Sequence, residues 1–308
     1  MISGTAATRS PALTTGFARA RTLLLNNGKM LLARGVMSMK YRLWDMSWME
    51  AEEAFERSEI VILPVGTLHG HGPSPISIDS SSVEKIAEEV GKKTGILTLP
   101  LQPYGENDKQ KYYPGSITIS PYTLENFYID VFKSIRRNGV KKVIVLNGHG
   151  GNREVIIRAG RSAKDFGMII AILEWYSIVN DLMPELFPEG THIMELAVAI
   201  AIGGKDIADL RGTGYKGEWK YTVKNIFGDK IKPVRFNNFE YKGARLIIPI
   251  QAWDIDLEGP PVLGKEVVDD LYDRGTKAIE LVVEHVIEFA KDFEKVDISE
   301  GLKSRDDF

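Results

Sequence analysis

The stretch Ile60-Val61-Ile62-Leu63-Pro64-Val65-Gly66-Thr67-Leu68-His69-Gly70-His71-Gly72-Pro73-Ser74-Pro75-Ile76-Ser77-Ile78-Asp79 decides how the rest of the chain is read. Six apolar residues in a row predict a strand buried on both faces, the habit of parallel sheets. The glycine-rich segment after it lies past the strand's C-terminal end. In extended backbone positions i and i+2 point to the same side, so His69 and His71 can reach one site together. Asp79 is the first carboxylate after them. Imidazole and carboxylate are the usual ligands of zinc and manganese. An H-x-H pair alone is weak evidence for a metal, and the placing of the other histidines has to decide.

Outward from this stretch, strand-like runs alternate with helical patterns. Ser47 to Arg57 predicts a short helix and Glu59–Val65 the buried strand. Ser81 and Glu84 form a capping box that opens a helix to about Lys92. Gly95–Leu101 reads as a strand. Ser120, with Pro121 at the first helical position, starts a helix that Gly139 ends. Lys142–Leu146 is a strand, Glu154–Asp165 a helix, Met168–Leu173 a strand and His192–Ile202 a helix. Residues 203–244 lack a clear period and predict loops and short strands. Arg245–Ile250 is a strand, and Lys265–Phe293 a long helix with apolar residues at 3–4 spacing. This alternation predicts an α/β fold, a single layered domain with a largely parallel central sheet flanked by helices. In such sheets ligands bind outside the carboxyl ends of the strands.

That rule gathers the histidines. The strand ending at Leu146 runs into Asn147-Gly148-His149-Gly150-Gly151-Asn152, where glycines let the backbone turn sharply and present His149. A glycine-rich phosphate loop is the competing reading. In Thr191-His192-Ile193-Met194-Glu195, His192 and Glu195 share a helical face. The fifth histidine, His285, lies between Glu284 and Glu288 and reads as a solvated surface residue.

The totals exclude other classes. With 308 residues, 44% hydrophobic, 26% charged and a net charge of −3, the chain is an ordinary globular protein without a nucleic-acid footprint. It has no cysteine, so disulfides and thiolate ligands are excluded. No run approaches the ~18 apolar residues of a membrane span, and a cytoplasmic location is the expectation. Residues 1–44 hold no Asp or Glu but carry Arg9, Arg19, Arg21, Lys29, Arg34, Lys40 and Arg42. That is a transit-peptide composition. The favoured reading is instead an extension upstream of a true start at Met37 or Met39. Either way 1–38 is expected to be a disordered, mis-started or targeting extension, and 39–308 the domain.

These residues together resemble the creatininase (creatinine amidohydrolase) superfamily. Its first motif, roughly G-[ST]-x-E-x-H-G-P-H-L-P and then an Asp, is similar to Gly66–Pro75 and Asp79. Its Asn-Gly-His motif is similar to Asn147–Asn152. Its Tyr-Gly and proline-glycine segment is similar to Tyr104-Gly105 and Tyr113-Pro114-Gly115-Ser116. Its His-Ala-Gly-Glu is similar to His192–Glu195. The resemblance implies two divalent metals (zinc, manganese or iron) at the C-terminal edge of a parallel sheet. Asp79 would bridge them, with His69 and His149 on one and His71 and Glu195 on the other. Creatininase takes one ligand from a Glu at the position of Gly151, so Glu195 must substitute. The family's first-motif glutamate is His69 here, which removes one negative charge and favours nitrogen-loving metals. Ser74 and Gln110 stand where relatives carry histidines, which argues against creatinine as substrate.

The implied activity is a dinuclear-metal-dependent hydrolase of a small polar, often cyclic, substrate, in which a metal-bridged hydroxide attacks a carbonyl. Amide-type C–N cleavage is favoured. The alternative is a C–C hydrolase that opens a carbocyclic ketone such as a dehydro-inosose. An alternative of another class is a non-catalytic metal-binding oligomeric subunit. His192 and Glu195 are the expected catalytic residues, with Glu174 or Glu154 as other candidates for proton transfer. Ser116, Trp175 and Tyr113 are the expected substrate contacts. The expected partners are a small-molecule substrate and copies of the chain itself (a hexamer, by the resemblance), with no nucleic acid or membrane.

Overall fold

The apolar runs do form a sheet. The computed structural model describes residues 40–299, apart from 73, 206, 208–219, 224–227, 236, 252–253 and 259–264. The segment 1–38 and its reading as an extension lie outside the described residues. Four strands, β1 (Ile60–Val65), β2 (Leu97–Thr98), β3 (Lys142–Asn147) and β4 (Ile169–Glu174), are parallel in the order β2-β1-β3-β4. Their register brings Val65, Asn147 and Glu174 into one row at the C-terminal edge.

Both faces of the sheet are covered, as continuous apolar strands require. Ile60, Ile62, Ile144 and Leu146 face a core made with α2 (Ile78–Thr94), α5 (Trp175–Leu182), α6 (Thr191–Gly203) and α7 (Lys265–Lys295). Val61, Leu63, Val65, Val143 and Val145 face a second core with α1 (Trp48–Arg57), α3 (Pro121–Arg137) and α4 (Asn152–Lys164). α1 opens on a capping box between Ser47 and Glu50, and α3 on Ser120 with Pro121 behind it. The expected strand Gly95–Leu101 shrinks to two ladder residues, because β2 is an edge strand bonded to β1 alone. Two smaller antiparallel sheets follow: β5 (Lys220–Val223) with β9 (Ile255–Glu258), and β6 (Ile231–Arg235), β7 (Asn238–Tyr241) and β8 (Ala244–Ile247). No helix among the described residues is long and apolar enough to cross a membrane.

Two corrections bear on function. The helix expected from Ser81 starts a turn earlier, at Ile78. Ser81 N–H already bonds Ser77 O (2.7 Å), and Ile78 is fully buried against the sheet. Asp79 therefore stands in the first turn of α2, where unpaired backbone N–H groups favour a carboxylate. The second is α5, which no sequence signal marks. It begins at Trp175, directly after the last residue of β4, without a glycine, proline or loop between.

Candidate metal centre

Two strand ends and two helices each deliver part of one cluster. After β1 the chain stays extended through His69, whose N–H bonds Ile76 O, and both imidazoles point the same way with ring centroids 3.9 Å apart. After β3, Gly148 lets the loop press onto α2: a Cβ there would sit 1.8 Å from the carbonyl oxygen of Asp79. His149, on the next residue, turns its Nδ1 to the Asp79 carboxylate. α6 brings Glu195.

Two groups of donors result, His69–Asp79–His149 and His71–Asp79–Glu195. In the first, Asp79 Oδ2 lies 3.1 Å from His69 Nε2 and 2.8 Å from His149 Nδ1, and the two nitrogens are 3.3 Å apart. Donors bonded to one zinc at about 2.0–2.1 Å stand about 3.3–3.4 Å apart in a tetrahedron, so this spacing fits an ion. In the second, His71 Nε2 lies 3.3 Å from the other oxygen, Asp79 Oδ1, and His71 Nδ1 lies 3.1 Å from Glu195 Oε2. His71 Nε2 is buried and makes no hydrogen bond, an orphan nitrogen of the kind a metal would satisfy. Since one imidazole gives one nitrogen to one ion, Nε2 is the free donor and Nδ1–H is left to hold Glu195.

The electrostatics suit cations. Asp79 is 2% exposed, and burial alone would push its carboxyl up. Without a metal, the charge of a protonated His71 and the hydrogen bonds of the His149 and His69 imidazoles instead hold it well below the ordinary range. Burial also opposes ionisation of Glu195, but His71 and His192 bring it down to about 2. Burial pushes His69 down, whereas the charges of Asp79 and Glu195 outweigh burial at His71 and raise it. The pocket thus keeps its carboxylates ionised in a dry place, which needs compensating positive charge.

The cluster forms the floor of a cleft of about 960 Å³, a size suited to a small molecule. Lys109, Gln110, Arg153, Tyr176, Ser177 and Asn180 line its walls, and Pro233 and Val234 reach it from β6. His192 is there too, with Nδ1 3.3 Å from Glu195 Oε2 and the side chain 28% exposed. All six expected ligand and catalytic residues therefore meet in one place. The expected substrate contacts do not. Trp175 is 2% exposed in the core beneath the sheet, because α5 starts at that residue and turns it inward, and its neighbour Tyr176 lines the cleft instead. Ser116 and Tyr113 are not among its lining residues; Tyr113 lies against Gly70. Glu154 is exposed in the first turn of α4, and Glu174 is engaged by Arg153. The position where creatininase carries a glutamate, Gly151, has no room for one: a Cβ would lie 2.2 Å from Glu106 O and 2.6 Å from His149 Nε2. The second carboxylate reaches the site from α6.

The sequence model of one family, creatinine amidohydrolase, matches residues 44–200, just over half of the chain. Over 140 residues the chain is 29% identical to 3-dehydro-scyllo-inosose hydrolase of Thermotoga maritima, covering 44% of this chain and 45% of that protein. Over 170 residues it is 26% identical to creatinine amidohydrolase of Pseudomonas putida, covering 50% and 65%. The chain thus spans about half to two-thirds of these relatives. The crystal structure of creatininase superposes with a TM-score of 0.65 at 19% identity over 84% of this chain and all of the other, a likeness of fold. Other creatininase structures that superpose are zinc and manganese forms. With the family model matched over residues 44–200, more than half of the chain, and the same layered fold in creatininase itself, the chain belongs to the creatininase family.

Proposed function

We propose that this chain is a metal-dependent hydrolase of a small polar carbonyl compound, working with two divalent ions (zinc, manganese or iron). The division of Asp79 carries this reading: one carboxylate oxygen faces His69 and His149, the other faces His71. A pair of ions asks this of the residue between them. Ions so held would polarise a substrate carbonyl and acidify a water. The chain's own part is to orient and to move a proton. Glu195 accepts from His192 Nδ1–H and orients that imidazole in the cleft, where His192 would exchange a proton with a leaving group. Ser177, Asn180 and Gln110 line the cleft and would offer hydrogen bonds to the substrate.

Amide-type C–N hydrolysis is the first reading, supported by the family and by the amidohydrolase of Pseudomonas putida. A second reading, opening of a carbocyclic ketone, is supported by the inosose hydrolase of Thermotoga maritima. The hydroxyl- and amide-bearing wall of the cleft, suited to a polyhydroxylated ring, favours it too. A non-catalytic metal-binding subunit has less support, because the cleft opens directly onto the donor cluster. By family resemblance the chain would assemble with copies of itself, as a hexamer. Trp48 and Tyr122, 73% and 79% exposed, are apolar surface that such contacts could cover.

The test is a hydrolase screen of the purified chain loaded with zinc or manganese, across cyclic amides, formamides and keto-inositols. Turnover of one class is expected, and Asp79→Asn should abolish it. A metal-replete protein inert toward all three classes would overturn the assignment.

A further inference from the structure

We infer that Glu174 and Arg153 are positioning residues that set the orientation of the His149 imidazole through Asn147. The inference rests on the metal-site reading above. Asn147 is fully buried, and its amide uses every bonding position. Its Oδ1 accepts from His149 N–H (3.2 Å) and from Asn152 Nδ2 (3.4 Å). Its Nδ2 donates to His149 O (2.7 Å) and to Glu174 Oε1 (3.1 Å). The side chain of Asn147 thus grips the backbone of His149 on both sides. That grip, together with the close approach of Gly148 to Asp79, aims Nδ1 at the carboxylate.

An amide turned by 180° has nearly the same shape, but it would set N–H against N–H at His149 and oxygen against its carbonyl, so the His149 backbone and Asn152 Nδ2 already favour the observed orientation. Glu174 strengthens that preference, because an ionised carboxylate can only accept and its bond from Nδ2 is charge-assisted. The ladder pairs Asn147 with Glu174 directly, on the face of the sheet that α4 covers. Arg153, in the first turn of α4, keeps Glu174 in place: its Nε donates to Oε1 (2.9 Å), a second guanidinium nitrogen pairs with Oε2, and Ser177 Oγ donates to Oε2 (3.3 Å). Glu174 is 9% exposed; burial opposes its ionisation, and Arg153 more than offsets this. None of these groups touches a donor atom of the site. Their effect on His149 passes through the Asn147 amide.

Glu174→Gln keeps the size but removes the charge that holds Asn147 Nδ2 and Arg153, so the grip on His149 loosens. The test measures zinc affinity by competition with a chromophoric chelator, alongside thermal unfolding of the metal-free protein. Glu174→Gln should bind zinc about 10–100-fold more weakly, while the metal-free melting point moves by only a few degrees. Arg153→Gln, at a half-exposed position that threatens folding less, should weaken zinc in the same direction. Wild-type affinity in both variants overturns the inference. So does a fall in affinity that merely follows a matching loss of metal-free stability, because that is what a purely structural pair would give. A wild-type chain that takes up no zinc fails the metal-site reading itself, a different result from variants that bind as tightly as a zinc-binding wild type.

Discussion

At the scale of single residues, Asp79 and Glu195 differ in how much of the centre depends on them. Asp79 faces both donor groups and Glu195 only one. Asp79→Asn is therefore expected to reduce bound metal to near zero, while Glu195→Gln should leave about half of the wild-type content. Elemental analysis of the purified variants measures both, and equal losses would contradict the division of Asp79. The same residues show what a sequence can and cannot convey. His69, His71 and His149 were legible because strand ends and the crevice rule need only local patterns. Glu195 was legible from its i, i+3 relation to His192. Trp175 was misplaced by one residue, since whether a side chain beyond a strand end faces core or cleft depends on where the next helix begins. Arg153 and Ser177 carry no local signal, because their importance comes from Glu174, a ladder partner of Asn147 reached only through the sheet register.

Among the elements, α6 and α7 support the centre from behind. α7 crosses α6 at Gly275, where a Cβ would lie 2.1 Å from the carbonyl oxygen of Ala197 and 2.9 Å from Val198 N. α6 also carries Glu195 and His192. Gly275→Ala must push the helices apart, and a destabilisation of about 1–3 kcal/mol is expected. Weaker metal binding should follow although no donor is changed; chemical denaturation and metal content check the two effects. α7 also holds the segment leading into α6. Arg274 donates to Leu186 O (2.8 Å), pairs with Glu189 (2.6 Å) and stacks on Phe187 (4.6 Å). Its hydrogen bond holds the Glu189 carboxyl below the ordinary 4.5. A carboxyl depressed in the folded state adds stability above its unfolded pKa, and that addition is lost as pH falls through the folded value. The cost of Arg274→Ala, about 1 kcal/mol at pH 7 with much of it packing on Phe187, should therefore shrink below pH 4.5 without vanishing. Melts of both proteins across pH 3–7 test this. The strands and α3 were readable from apolar runs and capping residues. The start of α2 was not, since a capping box spells the same letters inside a helix as at its end.

For the whole molecule, metal and fold should be linked. The donors of the centre come from segments after β1 and β3 and from α2 and α6, so an ion would tie together elements that are distant in the chain. A ligand that binds only the folded state at 100 times its dissociation constant adds about 2.7 kcal/mol. Zinc should accordingly raise the melting point by several degrees and a chelator should reverse it; an unchanged melting point at saturating zinc would count against a centre built from the folded site. The arrangement also divides the molecule by task. The donors stand on the ends of buried strands and on helices packed in the main core. Lys109, Gln110, Pro233 and Val234, which form part of the cleft wall, come from a short helical turn and from a small sheet with its own core at Phe239 and Ile250. Mutation can therefore reshape the opening with little charge to the stability of the machinery beneath it. In evolutionary terms, such a wall could drift over an unchanged floor, so a lineage could exchange substrates without rebuilding the site beneath.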